Sequence, residues 1–404
     1  MTAPKTALVI GAGVVGVATA YALARRGVSV RLVDRRDGPA MEASHANGAQ
    51  LSYLYTDALA SPSLLTQIPA LALGMVPAFR LRARLDPNYI RWLLAFLRNC
   101  TAERFRRNTL STLQLGLESR IALHELLENH PLDFDFRTAG KLHVYRNRKS
   151  WDAARRIADM KAGPGVVQNA LSYAEAAELE PALIDAAPGI EGAIYSPEEA
   201  VGDPHLFACA MRDLLVTDYA VVTNFGFAVD RVEIGQARAS AFDAEGAELS
   251  ADIIVDCSGA RGGRLLRSCG IRVPIITMKG HSFTAPSTPR SPSTSITDVG
   301  ARVVFTNLGG RIRVAGLADL GHVDPSVDHA RIKALIETAK RMMPGTADYE
   351  RTNSHWAGLR PMTPDAHPRI ARPHKRLAYN LGHGMLGWTL AMGSAERLAR
   401  LVLP

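Results

Sequence analysis

The chain reads as an α/β protein whose nucleotide-binding domain is left and later re-entered, on three observations. An apolar strand runs into a glycine turn and a helix at the N-terminus; a second buried-strand segment with its own glycine turn follows near residue 255; an alternating stretch between them belongs to another sheet. With 404 residues there is room for about two or three domains.

Thr6 to Ile10 is apolar and partly β-branched, as in a strand covered on both faces of a parallel sheet. A helix is expected from about Val14, ending where Gly27 offers a left-handed C-terminal position and Arg25 and Arg26 set cations against the helix's negative end. Val28 to Val33 is the next strand, completing a βαβ unit with a right-handed crossover. The same region contains an uncharged run from Thr6 to Ala24 after Lys5, with Ala22-Leu23-Ala24 imitating a processing site. Gly11, Gly13 and Gly16 interrupt that run, so strand, loop and helix account for it better than export or a membrane span.

Leu64 to Arg107 is rich in Leu, Ala and Trp, and Pro69, Pro77 and Pro87 divide it into short helices; Leu113 to Asn129 is a longer one. Gly140 to Tyr145 alternates polar and apolar residues like a half-buried antiparallel strand, opening a second sheet. Ala220 to Val232 and Ala251 to Gly259 return to buried-strand character, which marks re-entry into the first domain. Pro274 to Thr284 and Val303 to Gly316 are β-like, Thr284 to Thr297 is a Ser/Thr/Pro-rich exposed loop, and Asn380 to Leu403 is a strand end, glycine loop and helix.

Against 39 acidic residues stand 47 basic ones, a formal charge of +8 that suits an anionic substrate, a nucleotide or an anionic membrane surface, or simply solvates the protein. The arginines come in small clusters without a nucleic-acid-binding motif, so nucleic acid is discounted. Cys100, Cys209, Cys257 and Cys269 are far apart, which suggests neither a metal site nor a disulfide framework and fits a reducing, cytoplasmic compartment.

Gly11-Ala-Gly13-Val-Val-Gly16 lies between predicted strand and helix, the context that makes GxGxxG informative. Gly11 permits the tight turn, Gly13 lets backbone approach a pyrophosphate, and Gly16 lets helix and strand pack closely. Asp34 ends the next strand eighteen residues after Gly16, placed to accept from ribose hydroxyls, although Arg35 and Arg36 beside it weaken the case against a ribose phosphate. The motif alone does not separate FAD from NAD.

Other segments do. EASHANGAQLS (Glu42 to Ser52), Arg98-Asn-Cys100, KGHSF (Lys279 to Phe283), WAGLRPMTPD (Trp356 to Asp365) and GHGMLGWT (Gly382 to Thr389) together resemble bacterial D-amino acid dehydrogenases of the D-amino acid oxidase superfamily, across nearly the whole chain. The resemblance implies a discontinuous Rossmann-like FAD-binding domain (1–60, 196–270 and 345–404) and a second α+β substrate domain with a mixed sheet (61–195 and 271–344). It implies non-covalent FAD held by Gly11, Gly13, Val14, Val15, Gly16, Asp34 and Arg35. Ser44, Asn47, Gly48, Gln50 and Leu51 would follow the pyrophosphate and ring, Val229 the adenine, Ser258 and Gly259 the phosphates. Gly384, Met385, Gly387, Trp388 and Thr389 would border the flavin N1/O2 edge, with Arg360 nearby. The absence of cysteine after Cys269 removes the C-terminal cysteinyl link of the related sarcosine oxidases.

Oxidising an α-amino acid requires its Cα–H aimed at flavin N5, a fixed carboxylate and a neutral amine. A planar guanidinium suits the carboxylate, and the resemblance selects Arg360, which on its own would read rather as a structural ion-pair residue or one solvating the loop before Pro361. Tyr53 and Tyr55 are candidates to bond carboxylate or amine, or packing residues. His383 is a candidate beside the flavin edge, or a loop histidine bonded to backbone; Lys279 and His281 face the site or cap the core. The expected reaction is oxidative deamination of a D-amino acid to the 2-oxo acid and ammonia, with electrons passed to a quinone or other acceptor. Glycine, a hydroxyproline, an opine or another secondary amine is the alternative substrate. A flavoprotein subunit peripheral on the inner face of the membrane is the other reading, from apolar helices between Leu64 and Leu97 flanked by Arg80, Arg82, Arg84 and Arg91.

Overall fold

A computed structural model of the chain describes residues 3–72, 74–82 and 84–403. Thr6–Ile10 lies between Ser29–Asp34 and Ile253–Asp256, all parallel, in a six-stranded sheet completed by Val222–Phe225 on one side and by Leu377–Leu381 and the antiparallel edge Arg369–His374 on the other. Its apolar run has a direct cause. Ala7 and Val9 pack into the helical layer of Val14–Ala24, Pro204–Tyr219 and Gly387–Val402, while Leu8 and Ile10 pack beneath a small sheet of Arg231–Ile234, Ala239–Phe242 and Glu248–Ala251. Gly27 takes the left-handed conformation that ends the first helix region, with φ +84°.

The second sheet has nine strands and is mixed. Its order runs Asn353–Met362, Ile276–Pro286, Arg311–Leu320, Val303–Asn307, Ser295–Asp298, Lys141–Tyr145, Gly192–Ser196, Asn169–Ser172, with Phe79–Leu81 paired to Arg311–Leu320. Helix His329–Met342 covers one face; the other faces the N-terminal residues 44–57.

Four expectations change. Lys141–Tyr145 is fully buried rather than half-buried, because it is an interior strand and its polar residues find partners from residues 52–55. The stretch Thr284 to Thr297 is an exposed loop only in its middle, since Ser295–Asp298 becomes a buried strand. The long helix Ala102–Asn129 packs its Ala122, Leu123 and Leu126 among the nucleotide-domain helices, although it falls in the 61–195 segment. Asn353–Met362, within 345–404, forms the outer edge of the second sheet. As an edge strand it tolerates Pro361, whose missing N–H would break an interior ladder.

Candidate active site

A cleft of about 890 Å³ opens at the carboxyl ends of the parallel strands, bordered by Ile10, Asp34 and Cys257, and extends to the edge of the second sheet at Trp356–Pro361. Its inner end is built from backbone. Gly11 has φ +101°, and a Cβ there would come within 2.7 Å of the Cys257 carbonyl. A Cβ on Gly16 would overlap the Gly11 carbonyl, so helix and turn pack at a distance only glycine allows. The N-terminus of Val14–Ala24, without a side-chain cap from Gly13, faces this space, with the Val14 N–H donating to Ser44 Oγ at 3.3 Å.

Asp34 accepts from the Ala12 N–H at 2.7 Å and the Arg36 N–H at 2.9 Å, which orients its carboxylate at the strand end. Burial raises its pKa, opposed by those two backbone donors. Arg35 and Arg36 both pair with Glu42, so the two cations beside the acid are occupied. Glu42, Phe227, Arg261 and Arg264 line the same end and were given no role from sequence; Phe227 stands two residues before Val229, within reach of the same reasoning.

Of the residues expected at the cofactor, Gly11, Gly13, Val14, Val15, Asp34, Arg35, Ser44, Asn47, Val229, Ser258, Gly259, Arg360, Gly384, Met385, Gly387 and Trp388 line the cleft. Gly16, Gly48, Gln50, Leu51 and Thr389 do not. Gly16 seals the turn, Leu51 is core, Gln50 donates to Ser295 Oγ, and Thr389 Oγ1 accepts from the Ser52 N–H at 2.9 Å. The wall they belong to is pinned by the second sheet: Ser282 Oγ donates to the Ala46 carbonyl at 2.5 Å, Thr306 Oγ1 to the Gly48 carbonyl at 2.8 Å and Arg313 Nη1 to the Asn47 carbonyl at 3.3 Å.

Arg360 reaches the cleft from the edge strand, beside Gly280, where any Cβ would collide with its guanidinium. Among the described residues it has no ion-pair or hydrogen-bond partner, and burial lowers its pKa to about 10, with the Asp319 charge opposing, so it stays charged at neutral pH. His383 also lines the cleft, but Nε2 lies 2.9 Å from Ser394 Oγ and burial lowers its pKa to about 3, which makes it a neutral loop histidine. The structure does not bring Tyr53 and Tyr55 to the cleft. Tyr53 is buried in the core, and Tyr55 stacks on His143 with ring centroids 3.9 Å apart behind the strand Gln50–Leu51. Lys279 and His281 point to the opposite face from Gly280, where His281 Nε2 lies 3.0 Å from Asp319.

The cleft fits a dinucleotide flavin. Its inner turn admits no side chain, an acid stands at the ribose position, and Ser258 Oγ and Asn380 Oδ1 are buried atoms of lining residues without partners among the described residues. Residues 6–401 match the family model described as FAD dependent oxidoreductase. The chain is 39% identical over 403 residues to D-amino acid dehydrogenase 2 of Pseudomonas aeruginosa, covering 98% of this chain and 94% of that protein. Identity to D-amino acid dehydrogenase 2 of Ralstonia nicotianae is 36% over 405 residues, with coverage of 98% and 95%. Among solved structures, glycine oxidase from Geobacillus kaustophilus superimposes with a TM-score of 0.74 at 20% identity, covering 99% of this chain and 95% of that one. L-proline dehydrogenase from P. horikoshii gives 0.76 at 17% identity, with coverage of 100% and 94%; both likenesses concern the fold.

Proposed function

The chain belongs to the FAD dependent oxidoreductase family, and from that premise we propose that it oxidises D-amino acids to imino acids, which water converts to the 2-oxo acid and ammonia. The carrying observation is Arg360, a partly buried guanidinium facing the cleft with no carboxylate in ion-pair range among the described residues. Burying such a charge is costly unless an anion completes it, and a substrate carboxylate does so with two parallel hydrogen bonds. FAD, held by Gly11, Gly13, Asp34 and Ser258, would supply the two-electron redox chemistry.

Arg360 fixes one end of the substrate, and Gly280 leaves space for that guanidinium at the sheet surface. Arg313, Ser282 and Thr306 hold the opposing wall by its carbonyls, so the substrate meets a preset geometry. FAD is held without a covalent bond in this reading. Cys257 lines the cleft, but its thiol donates to Thr19 Oγ1 at 3.6 Å and burial pushes its pKa up to about 12, far from the reactive thiolate. Anaerobic mixing with a panel of D-amino acids and secondary amines tests the reading: bleaching of the flavin band by D-amino acids is expected, and bleaching by secondary amines alone would overturn it.

The electrons leave to a quinone or other acceptor, with the protein peripheral on the cytoplasmic face of a membrane. No helix among the described residues is long and apolar enough to span one. Helix Pro87–Asn99 buries Tyr89 and Trp92 yet leaves Ile90, Leu94 and Leu97 exposed, next to exposed Leu81 and Leu85 and the arginines Arg80, Arg82, Arg84 and Arg91. Leu94→Asp should reduce sedimentation with anionic vesicles several-fold while leaving D-amino acid oxidation with a soluble dye unchanged.

A further inference from the structure

Gly280 and Gly358 stand directly opposite each other across the antiparallel pair Ile276–Pro286 and Asn353–Met362. Each is covered by a neighbouring side chain on that face of the sheet. A Cβ on Gly280 would collide with the Arg360 guanidinium, and a Cβ on Gly358 would collide with Cζ2 and Cη2 of the Trp356 indole. Guanidinium and indole therefore lie flat on the two glycines of one cross-strand pair, side by side and about 5 Å apart. Trp356, Gly358 and Arg360 all line the cleft.

Packing does not account for this indole. Among the described residues, Trp92, Trp151 and Trp388 each contact another aromatic ring and belong to a hydrophobic cluster, whereas Trp356 does neither. It is half-buried, held against glycine on one side and open to the cleft on the other. Its surroundings are apolar as well: Val323 and Met385 line the same cleft while 54% and 48% exposed. Asp324 turns its carboxylate back on its own loop, accepting from the Ser326 N–H at 2.9 Å. Among lining residues 323–327 and 355–361 there is no lysine, and no arginine besides Arg360. A second substrate carboxylate would find no counter-charge there, while an apolar side chain would find a planar ring.

We propose that Trp356 is a specificity-determining residue: with the substrate carboxylate on Arg360, the indole receives the side chain, and the enzyme prefers D-amino acids with bulky apolar or aromatic side chains to D-alanine or D-glutamate. The proposal rests on the reading of Arg360 given above. Titration calorimetry of the FAD-loaded enzyme with 3-phenylpropionate and propionate tests it, because both carry the carboxylate but no amine and bind without reacting. 3-Phenylpropionate should bind roughly thirtyfold more tightly than propionate. Trp356→Ala should bring that ratio below about fivefold, the loss falling on 3-phenylpropionate, and Trp356→Phe should keep most of it. Gly358→Ala, whose Cβ lifts the indole off the sheet, should lower the ratio with the tryptophan still present. In turnover, the ratio of kcat/KM for D-phenylalanine over D-alanine should follow the same order. A ratio unchanged by Trp356→Ala, or equal weakening of both ligands, would make the indole structural and overturn the proposal; so would tighter binding of glutarate than of 3-phenylpropionate. Arg360→Met separates the two readings. It should weaken both ligands alike, and if it weakens neither, the carboxylate role of Arg360 falls and this proposal with it, whatever Trp356→Ala shows.

Discussion

At its inner end the cleft is made of main chain: glycines that exclude side chains, free N–H groups at a helix start, and one carboxylate held by two backbone donors. At its outer end the lining group proposed to hold the substrate is a side chain, Arg360, more than three hundred residues from Gly11, opposite a wall pinned by Ser282, Thr306 and Arg313. Main chain recognises what every dinucleotide shares, and a local motif suffices to build it. On the proposed reading, side chains carried by a different sheet set what is oxidised, and they can vary without disturbing the nucleotide end.

The sharpest way to break this division is Arg360→Met. Losing a buried charge-assisted pair costs about 4 kcal/mol, so kcat/KM should fall roughly 10³-fold while FAD content stays at the native level. Loss of FAD together with turnover would show that the two ends are not separable. Gly16→Ala tests the other side. Its Cβ overlaps the Gly11 carbonyl, and the strain, about 3 kcal/mol or more, should appear as lost FAD and a lower unfolding temperature, with Arg360 untouched.

A smaller effect concerns Asp256, at the end of a central strand of the nucleotide sheet. Burial raises its pKa from 3.8 to about 6, against a hydrogen bond from the Ser258 N–H. The folded chain thus holds a proton that the unfolded chain releases between about pH 4 and 6, and stability is lost as pH rises through that window, by about 2 to 3 kcal/mol. Asp256→Asn should flatten this dependence in unfolding measured at pH 5 and 7.5; an unaltered slope would assign it elsewhere. Smallest is Glu42→Ala, which releases Arg35 and Arg36 from half-exposed pairs and should change stability by less than about 1 kcal/mol, while lowering discrimination against a ribose phosphate at Asp34.

The same division explains what could be read from sequence. Thr6 to Asp34 was legible because its strand, turn, helix and acid are contiguous and each residue type answers a local backbone need. Arg360 was legible only through its resemblance to a family, since nothing in GLRPMTPD dictates where the guanidinium points. Tyr53 and Tyr55 follow the flavin segment in sequence but turn away from it, drawn to partners such as His143 that no spacing rule connects to them. Lys141 and His143 alternate with apolar residues as a surface strand would; their burial depends on Ser52 and Tyr55, about ninety residues earlier.

The nucleotide sheet also has a history. Thr6–Ile10 is made well before its neighbour Ile253–Asp256, which comes some 250 residues later, and beyond that lies Leu377–Leu381. Helix Gly387–Val402, which packs on Val14–Ala24 and lines the cleft, follows the glycine turn by some 370 residues. The glycine turn is therefore translated long before it has a floor to rest on, and FAD is expected to stay bound only once Gly387–Val402 is in place. A chain truncated before Gly387 should emerge without flavin, however intact its N-terminal motif.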